Sequence, residues 1–120
     1  MIKYELRTKI PNLNDYIKAL SKTRYAGGKL KKQMQEEIMW LIKSQGLKKV
    51  KGKVDVYLTF IEKDKKRDKD NVIASGCKLI MDSLVNLEVI KDDSWQYVNQ
   101  YIPRVILGSE YKVIVELVEI

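Results

Sequence analysis

The chain contains no histidine and only one cysteine, Cys77, among its 120 residues. An intrachain disulfide is therefore excluded, and so is a zinc site built from cysteine and histidine ligands. The absence of histidine also removes the usual general base and every nucleophilic triad that needs an imidazole. Hydrolytic chemistry in this chain would depend on carboxylates, lysine or metal-activated water.

Long apolar stretches are also missing. No uninterrupted apolar run is long enough to span a bilayer, and residues 1–7 alternate charged with apolar side chains instead of forming the apolar segment of a signal peptide. We therefore expect a cytoplasmic protein without a membrane partner. Because 120 residues with 45% hydrophobic content can bury one core but hardly two, we expect a single domain over residues 1–120.

The formal net charge of +7 is unevenly distributed along the chain. Residues 22–69 carry 15 basic and 6 acidic side chains, whereas residues 70–120 carry 4 basic and 8 acidic ones. A basic middle beside an acidic C-terminal half fits a surface that grips phosphates next to a metal-binding site. A lysine-rich surface without a specific partner accounts for the net charge equally well.

Hydrophobic periodicity predicts both strands and helices. Alternation with period two predicts strands over residues 2–8, 54–61, 95–106 and 111–120, the last two joined by a turn at Gly108-Ser109. Spacings of three and four predict helices over residues 13–20, 29–44 and 72–85. Strands and helices without regular alternation indicate an α+β fold, in which helices pack on one face of a mixed sheet of about four strands.

Local signals predict where the helices begin and end. Asn12 or Asn14 is the expected N-cap of the first helix, and Asp70 or Asn71 is the expected N-cap of the third. Ala26-Gly27-Gly28 is expected to break the chain between the first two helices.

Two acidic segments flank the third predicted helix. The run Arg67-Asp68-Lys69-Asp70-Asn71 precedes it and Asp92-Asp93 follows it. In an extended segment Asp68 and Asp70 would point to the same side, roughly 7 Å apart, which is close enough to share a metal ion. Asp93, or with less support Asp92, would supply the remote ligand for a hard cation such as Mg²⁺. N-capping and turn formation are the alternative roles of these residues.

Carboxylates within a strongly basic domain predict a metal-dependent nuclease. Its phosphate contacts are expected from basic residues around the glycine pair, in the loop before the second strand and beside the carboxylates, and these include Lys29, Lys31, Lys32, Lys48, Lys49, Lys51, Lys66 and Arg67. For each of these side chains a solvated surface position is the alternative.

The order of these segments resembles the RusA family of Holliday junction resolvases, in particular its phage and prophage branch. The resemblance covers nearly the whole chain and is strongest over residues 67–71, 78–84 and 89–98, with weaker support over 10–17 and 22–29. It implies a RusA-like, homodimeric endonuclease that requires Mg²⁺, with Mn²⁺ as a substitute ion. Such an enzyme resolves four-way DNA junctions by paired symmetric nicks during recombination and repair.

The resemblance also implies roles for individual residues. Asp68, Asp70 and Asn71 match the family motif Asp-x-Asp-Asn, and Asp93 matches the second aspartate of its acidic pair. The three aspartates would then be the metal ligands and catalytic residues.

The short form of the family has a functional lysine one helical turn after the motif, where this chain has Ala74. Lys78 lies four residues further on, roughly on the same helix face, and is the expected substitute. An exposed Lys78–Asp82 helix pair is the alternative.

The aromatic residues have two interpretations. The candidates for stacking on unpaired bases or for a dimer interface are Trp40, Trp95, Tyr97 and Tyr101. Trp95 and Tyr97 directly follow the acidic pair and are the better candidates, whereas Trp40 lies near an apolar helix stripe and is expected in the core. Two other functions also fit the sequence. One is a non-catalytic basic nucleic-acid-binding protein, and the other is a metal-dependent nuclease without selectivity for junctions.

Overall fold

The computed structural model describes residues 1–120. Its elements are, in chain order, β1 (Ile2–Leu6), α1 (Leu13–Lys22), α2 (Arg24–Ser44), β2 (Val54–Glu62), α3 (Lys69–Asn86), β3 (Val98–Leu107) and β4 (Lys112–Glu119). The four strands form one sheet in the order β1-β4-β2-β3. Strand β4 is antiparallel to both β1 and β2, whereas β3 is parallel to β2. The prediction of an α+β fold with a mixed four-stranded sheet is confirmed.

One hydrophobic core lies between the sheet and the helices. Alternate residues of β4, namely Val113, Val115 and Leu117, are buried, as the period-two pattern predicts. Helix α2 contributes Ile38 and Ile42 to the same cluster of 21 buried residues, and α3 contributes the largest number of buried helical residues. None of the three helices has the length and apolar composition that crossing a bilayer requires.

A glycine allows α3 to pack closely on β2. A Cβ atom at Gly76 would lie 2.9 Å from Cζ of Phe60 and still closer to Cε1 of the same ring. Phe60 is only 1% exposed and belongs to the core, so its ring has little room to move away. The middle of α3 can therefore pack closely on the sheet only because Gly76 has no side chain.

The predicted boundary between the first two helices is wrong. Helix α2 continues through Gly27 and Gly28, and the break lies at Thr23, whose backbone is extended and whose hydroxyl accepts a hydrogen bond from the Ala26 N–H. A Cβ atom at Gly27 would overlap the side chain of Leu20 in α1. This glycine therefore allows two helices to approach each other, while its helical backbone is maintained by tertiary packing.

The predicted cap of α1 is confirmed at Asn12. Its side chain accepts a hydrogen bond from the Asp15 N–H at 2.9 Å, and the Asp15 carboxylate accepts one from the Asn12 N–H at 3.0 Å. These two bonds form a complete capping box, which satisfies backbone donors that the helix itself leaves free.

Strands β3 and β4 are consecutive in the chain but are not neighbours in the sheet. The turn at Gly108-Ser109 leads from one to the other across β2, which lies between them, so the predicted turn does not close a hairpin. Instead, residues 101–107 of β3 pair in parallel with residues 56–62 of β2. Trp95 and Tyr97 precede β3 and belong to the loop after α3.

Candidate active site at helix α3

The N-terminus of α3 carries the first acidic segment. Asp68 is the N-cap residue and Asp70 lies in the first turn, so the predicted cap at Asp70 or Asn71 and the predicted extended segment are both wrong. The Asp68 side chain makes no capping hydrogen bond, whereas Asp70 Oδ1 accepts one from the Asn71 N–H at 2.9 Å. Both carboxylates are exposed. The positive end of the helix dipole favours negative charge at this position.

Arg67 anchors the segment that precedes α3. Its Nε and Nη2 donate to the two carboxylate oxygens of Glu62 at 2.7 and 2.9 Å, and Nη1 donates to the Ile10 carbonyl at 2.6 Å. The side chains of Arg67 and Glu62 are only 10% and 6% exposed. Burial opposes the charged guanidinium, but the hydrogen bonds and charge of Glu62, with help from Asp15, raise the pKa of Arg67 overall. Contrary to the expectation from the sequence, the Arg67 guanidinium is engaged within the protein and is not available to bind phosphates.

The second acidic segment meets α3 at Lys78. The ammonium nitrogen lies 3.0 Å from Asp82 Oδ1 and 3.9 Å from Asp93 Oδ2. The hydrogen bond and charge of Asp82 raise the pKa of Lys78, and the charge of Asp93 adds to this effect. Lys78 is therefore a cation at neutral pH and is suited to neutralise negative charge rather than to act as a base.

A cleft of about 540 Å³ opens beside this ion pair, between α3 and the chain that leads into β3. Ile73, Cys77 and Met81 contribute to its apolar part, and its polar and aromatic lining includes Lys78, Asp93, Trp95, Asn99 and Tyr101. Partial burial raises the pKa of the Cys77 thiol and of the Tyr101 hydroxyl at the cleft.

Asp68 lines a different depression, of about 570 Å³, where β2 and β3 end. Glu62, Asp64 and Arg67 share its lining, and Asp70 lines neither this depression nor the cleft. No group of three or more histidine, cysteine, aspartate or glutamate side chains lies close enough to hold a metal ion by itself. The structure brings Asp93 to Lys78 but does not gather Asp68, Asp70 and Asp93 into one cluster.

The donor chemistry suits a hard cation that is shared with a substrate. Asp68, Asp70 and Asp93 are exposed carboxylates, and carboxylate oxygen is the ligand that Mg²⁺ prefers. This ion keeps several waters and is commonly held by one or two carboxylates together with substrate phosphates. The chemistry of these side chains therefore suits Mg²⁺, but in this structure they lie apart and do not form a metal site by themselves.

The predicted phosphate-binding lysines fall into three groups. Lys31 on α2 lines a groove together with Ala74 and Lys78 of α3. Lys29 and Lys32 line a separate depression formed by residues of α2 alone. Lys48, Lys49 and Lys51 are exposed in the loop before β2, where Lys49 Nζ lies 3.1 Å from Glu88 Oε2 beyond the end of α3. Lys66 is exposed next to the acidic segment. Lys66, Lys31 and Lys49 therefore lie near the start, the middle and the end of α3 respectively.

Two features of the site are not evident from the sequence. Asn99 is not a candidate from the sequence, whereas Tyr101 is; both reach the cleft because alternate residues at the start of β3 share one side, and the strand pattern alone does not reveal which element they face. Trp40 is 66% exposed, so its predicted core position is wrong, and the buried stripe of α2 is formed by Ile38 and Ile42 instead.

Helix α3 thus has the exposed carboxylates of Asp68 and Asp70 at its N-terminus, and near its middle it contacts Asp93 through Lys78, beside the aromatic cleft. Such a surface can bind an anionic polymer and hold a divalent cation against it. Comparison of the chain with models of protein families and with curated proteins finds no match.

Proposed function

We propose that the chain is a Mg²⁺-dependent, structure-selective endonuclease of the RusA type, which resolves four-way DNA junctions by paired symmetric nicks in recombination and repair. The observation that carries this proposal is the approach of Asp93 to within 3.9 Å of Lys78. It brings the acidic pair after α3 to the helix that begins with Asp68 and Asp70. The free side chain of Asp68 supports the proposal further, because a purely capping aspartate would accept a backbone hydrogen bond.

The roles of the residues follow from their charge and position. Asp68, Asp70 and Asp93 would supply carboxylate ligands for Mg²⁺, or Mn²⁺ in its place, together with a DNA phosphate, which requires them to come closer together than they lie in this structure. When bound, the ion supplies a Lewis acid that neutralises phosphate charge and lowers the pKa of water. Lys78 adds a permanent positive charge beside the phosphoryl oxygens. The exposed side chain of Lys78 has room to turn toward a phosphate that displaces its pairing with Asp82.

DNA binding would follow the length of α3. The 18 residues of this helix span about 27 Å, which corresponds to about eight phosphates of one strand. Lys66 lies at one end of this path, Lys31 near its middle and Lys48 and Lys51 at the other end. Contacts of this kind are made to the backbone, so they predict strong salt dependence and little sequence preference.

Paired nicks require two active sites at a fixed separation. A two-fold symmetric homodimer supplies this arrangement, because each protomer then presents the same site to one strand of the junction. We therefore include homodimer formation in the proposed function, with four-way DNA as the partner.

The test is cleavage of mobile and immobile four-way junctions with Mg²⁺, beside a linear duplex, on a denaturing gel. Wild-type protein is expected to make symmetric nicks at the junction only. Asp70→Asn is expected to abolish the nicks and to retain or tighten DNA binding, because it removes a negative charge. Asp93→Asn should behave in the same way, whereas Asp92→Asn, its matched neighbour, should keep activity. Full cleavage by Asp70→Asn would contradict the metal-site assignment.

A second candidate is a non-catalytic nucleic-acid-binding protein. It is favoured by the 3.0 Å contact between Lys78 and Asp82, an ordinary pair four residues apart on an exposed helix face that leaves the ammonium engaged within the protein. Binding of junctions without any nicks in the same experiment would support this function. Equal cutting of linear duplex would instead indicate a nuclease that does not select junctions.

A further inference from the structure

Trp95 is the most exposed large apolar side chain of the protein. Its exposed fraction is 91%, although it lines the cleft beside Asp93, only two positions away in the chain. An indole offers a large flat apolar surface that gains free energy when it is covered. The side chain therefore presents an uncovered aromatic face at the cleft, next to a proposed metal ligand.

The cleft itself has the size and lining of a small-molecule site. Its volume of about 540 Å³ lies within the range of about 300–1,000 Å³ that is typical of ligand pockets. The lining is mainly apolar, and Asn99 and Tyr101 supply polar groups. Asn99 Nδ2 donates to Asp55 at 3.0 Å, which fixes the amide and leaves its carbonyl oxygen as an acceptor. A flat heteroaromatic ring with hydrogen-bonding edges matches this combination.

We infer that this cleft is a subsite for an unpaired nucleobase of DNA, which stacks on Trp95 while the adjoining phosphate lies at Asp93 and Lys78. The inference rests on the proposed function, because the base belongs to the DNA strand that the endonuclease would cut. Stacking on an aromatic side chain tolerates any base, since every base has a π-face. A base enters such a pocket only from a strand that is single or locally unstacked, which would favour branch points over continuous duplex.

Charge at the cleft disfavours a second copy of the chain as the occupant. Lys78 and Asp93 lie at the cleft, with Asp82 and Asp92 in the adjoining groove. The centres of protein interfaces are depleted in such residues, because charged groups lose their hydration there. A nucleobase covers only the apolar part of the cleft and leaves the charged groups in water, and its phosphate would pair with Lys78, the one cation beside Asp82, Asp92 and Asp93.

The test uses Trp95 as its own reporter. The chain has two tryptophans, so a Trp40→Phe background makes the emission specific to Trp95. In EDTA, where cleavage is excluded, a single-stranded oligonucleotide is expected to quench this emission, and an abasic strand with the same number of phosphates is not. Trp95→Ala should weaken binding of the base-containing strand about 5-fold to 150-fold, which corresponds to about 1–3 kcal/mol. Trp95→Phe should recover part of the loss.

Two further readouts separate stacking from other roles of Trp95. The slope of log K against log[salt] should not change in Trp95→Ala, because no phosphate contact is removed. Circular dichroism should be unchanged, since an exposed side chain contributes little to folding. Equal quenching by the abasic strand would overturn the inference. A concentration-dependent change of emission without DNA, matched by dimer dissociation in Trp95→Ala, would also overturn it and assign the face to self-association.

The outcomes distinguish this inference from the proposed function. Junction nicking by the wild type without base-dependent quenching would leave the endonuclease and overturn the base subsite. Base-dependent quenching without any metal-dependent nicking would support the subsite on a protein that binds nucleic acid but does not cut it.

Discussion

The ammonium nitrogen of Lys78 lies 3.9 Å from Asp93 Oδ2 and thereby joins the middle of α3 to the loop that follows it. The same ammonium lies closer to Asp82, at 3.0 Å, so one cation serves two carboxylates. Exposed ion pairs contribute only about 0–1 kcal/mol to the free energy of unfolding. The importance of this arrangement therefore lies in the charge that it keeps beside Asp93, and much less in stability.

We expect Asp82→Asn to lower the pKa of Lys78 more than Asp93→Asn does. In the wild type the pKa of Lys78 is raised, with Asp82 as the main cause and Asp93 as a smaller one, so removal of either carboxylate makes the proton easier to lose. The measurement is a pH titration of the Lys78 side-chain carbon signals by NMR. A larger decrease in Asp93→Asn would show that the loop carboxylate is the dominant partner.

The raised pKa of Lys78 also predicts how activity should depend on pH. Because the pKa of Lys78 lies above its ordinary value, the ammonium remains charged at and above neutral pH. Its positive charge is lost only as the pH rises through the raised pKa. Any activity that needs this charge should therefore show no decrease caused by Lys78 between neutral pH and the ordinary lysine pKa of about 10.4. In Asp82→Asn the decrease should begin at lower pH.

Metal binding should depend on DNA. Since no three acidic side chains form a cluster, we expect weak Mg²⁺ binding by the free protein and stronger binding when a phosphate completes the ligand shell. Calorimetric titration of Mg²⁺ into the protein, with and without a linear duplex, measures the difference. By linkage, Mg²⁺ should tighten duplex binding by the same factor. Asp70→Asn should remove this gain, and Asp92→Asn should keep it. Equal Mg²⁺ affinity with and without duplex would contradict a shared site.

The loop lysines should determine part of the salt dependence. Replacing Lys48, Lys49 and Lys51 by alanine is expected to weaken duplex binding at low salt and to flatten the slope of log K against log[salt] by up to about 0.9 for each lost phosphate contact. Lys49 already pairs with Glu88, so we expect Lys49→Ala alone to change the slope least. An unchanged slope in the triple variant would identify these lysines as solvated surface.

The sequence predicts the elements well because burial imposes a period on each of them. The alternation of Val113, Val115 and Leu117 identifies β4, and the stripe of Ile80 and Leu84 identifies α3. Strand order is not predictable in this way, because parallel pairing of β3 with β2 depends on contacts between distant segments. The continuous helix through Gly27 is not predictable for the same reason, since its packing against Leu20 is a tertiary contact that outweighs the low helix propensity of glycine.

The candidate site is only partly predictable for a related reason. The residue types of the site and their order can be read from the chain. In the structure Asp93 contacts Lys78 of α3, which is consistent with that order. Whether a charged residue faces solvent or a buried partner is not visible. Arg67 belongs to a basic run but turns inward to Glu62, because the last residue of β2 is buried and needs a counter-charge. The uncovered face of Trp95 likewise depends on tertiary structure.

Arg67→Ala should strongly destabilise the protein. It would leave the Glu62 carboxylate, which is 5% exposed as a residue, without its partner, and loss of one member of a buried pair typically costs about 3–5 kcal/mol. Urea unfolding measures the change. Lys66→Ala, at the exposed neighbouring position, should change stability by no more than about 0.5 kcal/mol. The double variant Glu62→Met/Arg67→Met should recover most of the loss. A loss below about 1 kcal/mol in Arg67→Ala would mean that Glu62 finds water or another donor.

A matched pair of glycine variants tests how α3 is positioned. In Gly76→Ala the added methyl group would collide with the buried ring of Phe60, at a cost of about 1–3 kcal/mol. Alanine brings a gain of about 1 kcal/mol to a helix interior, so the free energy of unfolding should fall by up to about 2 kcal/mol. Gly28→Ala adds the same methyl group to α2, where no atom lies within 4 Å, and should raise stability by about 0.4–1 kcal/mol.

Combining Gly76→Ala with Phe60→Leu should restore part of the stability, because the smaller side chain leaves space for the methyl group. If Gly76→Ala alone proved as stable as the wild type, α3 would be able to move away from β2 without loss. In that case the positions of Lys78 and of the cleft relative to β3 would not be determined by this contact. Conversely, a destabilised Gly76→Ala that also loses the pairing between Lys78 and Asp93 would show that the close contact at Phe60 positions the candidate site.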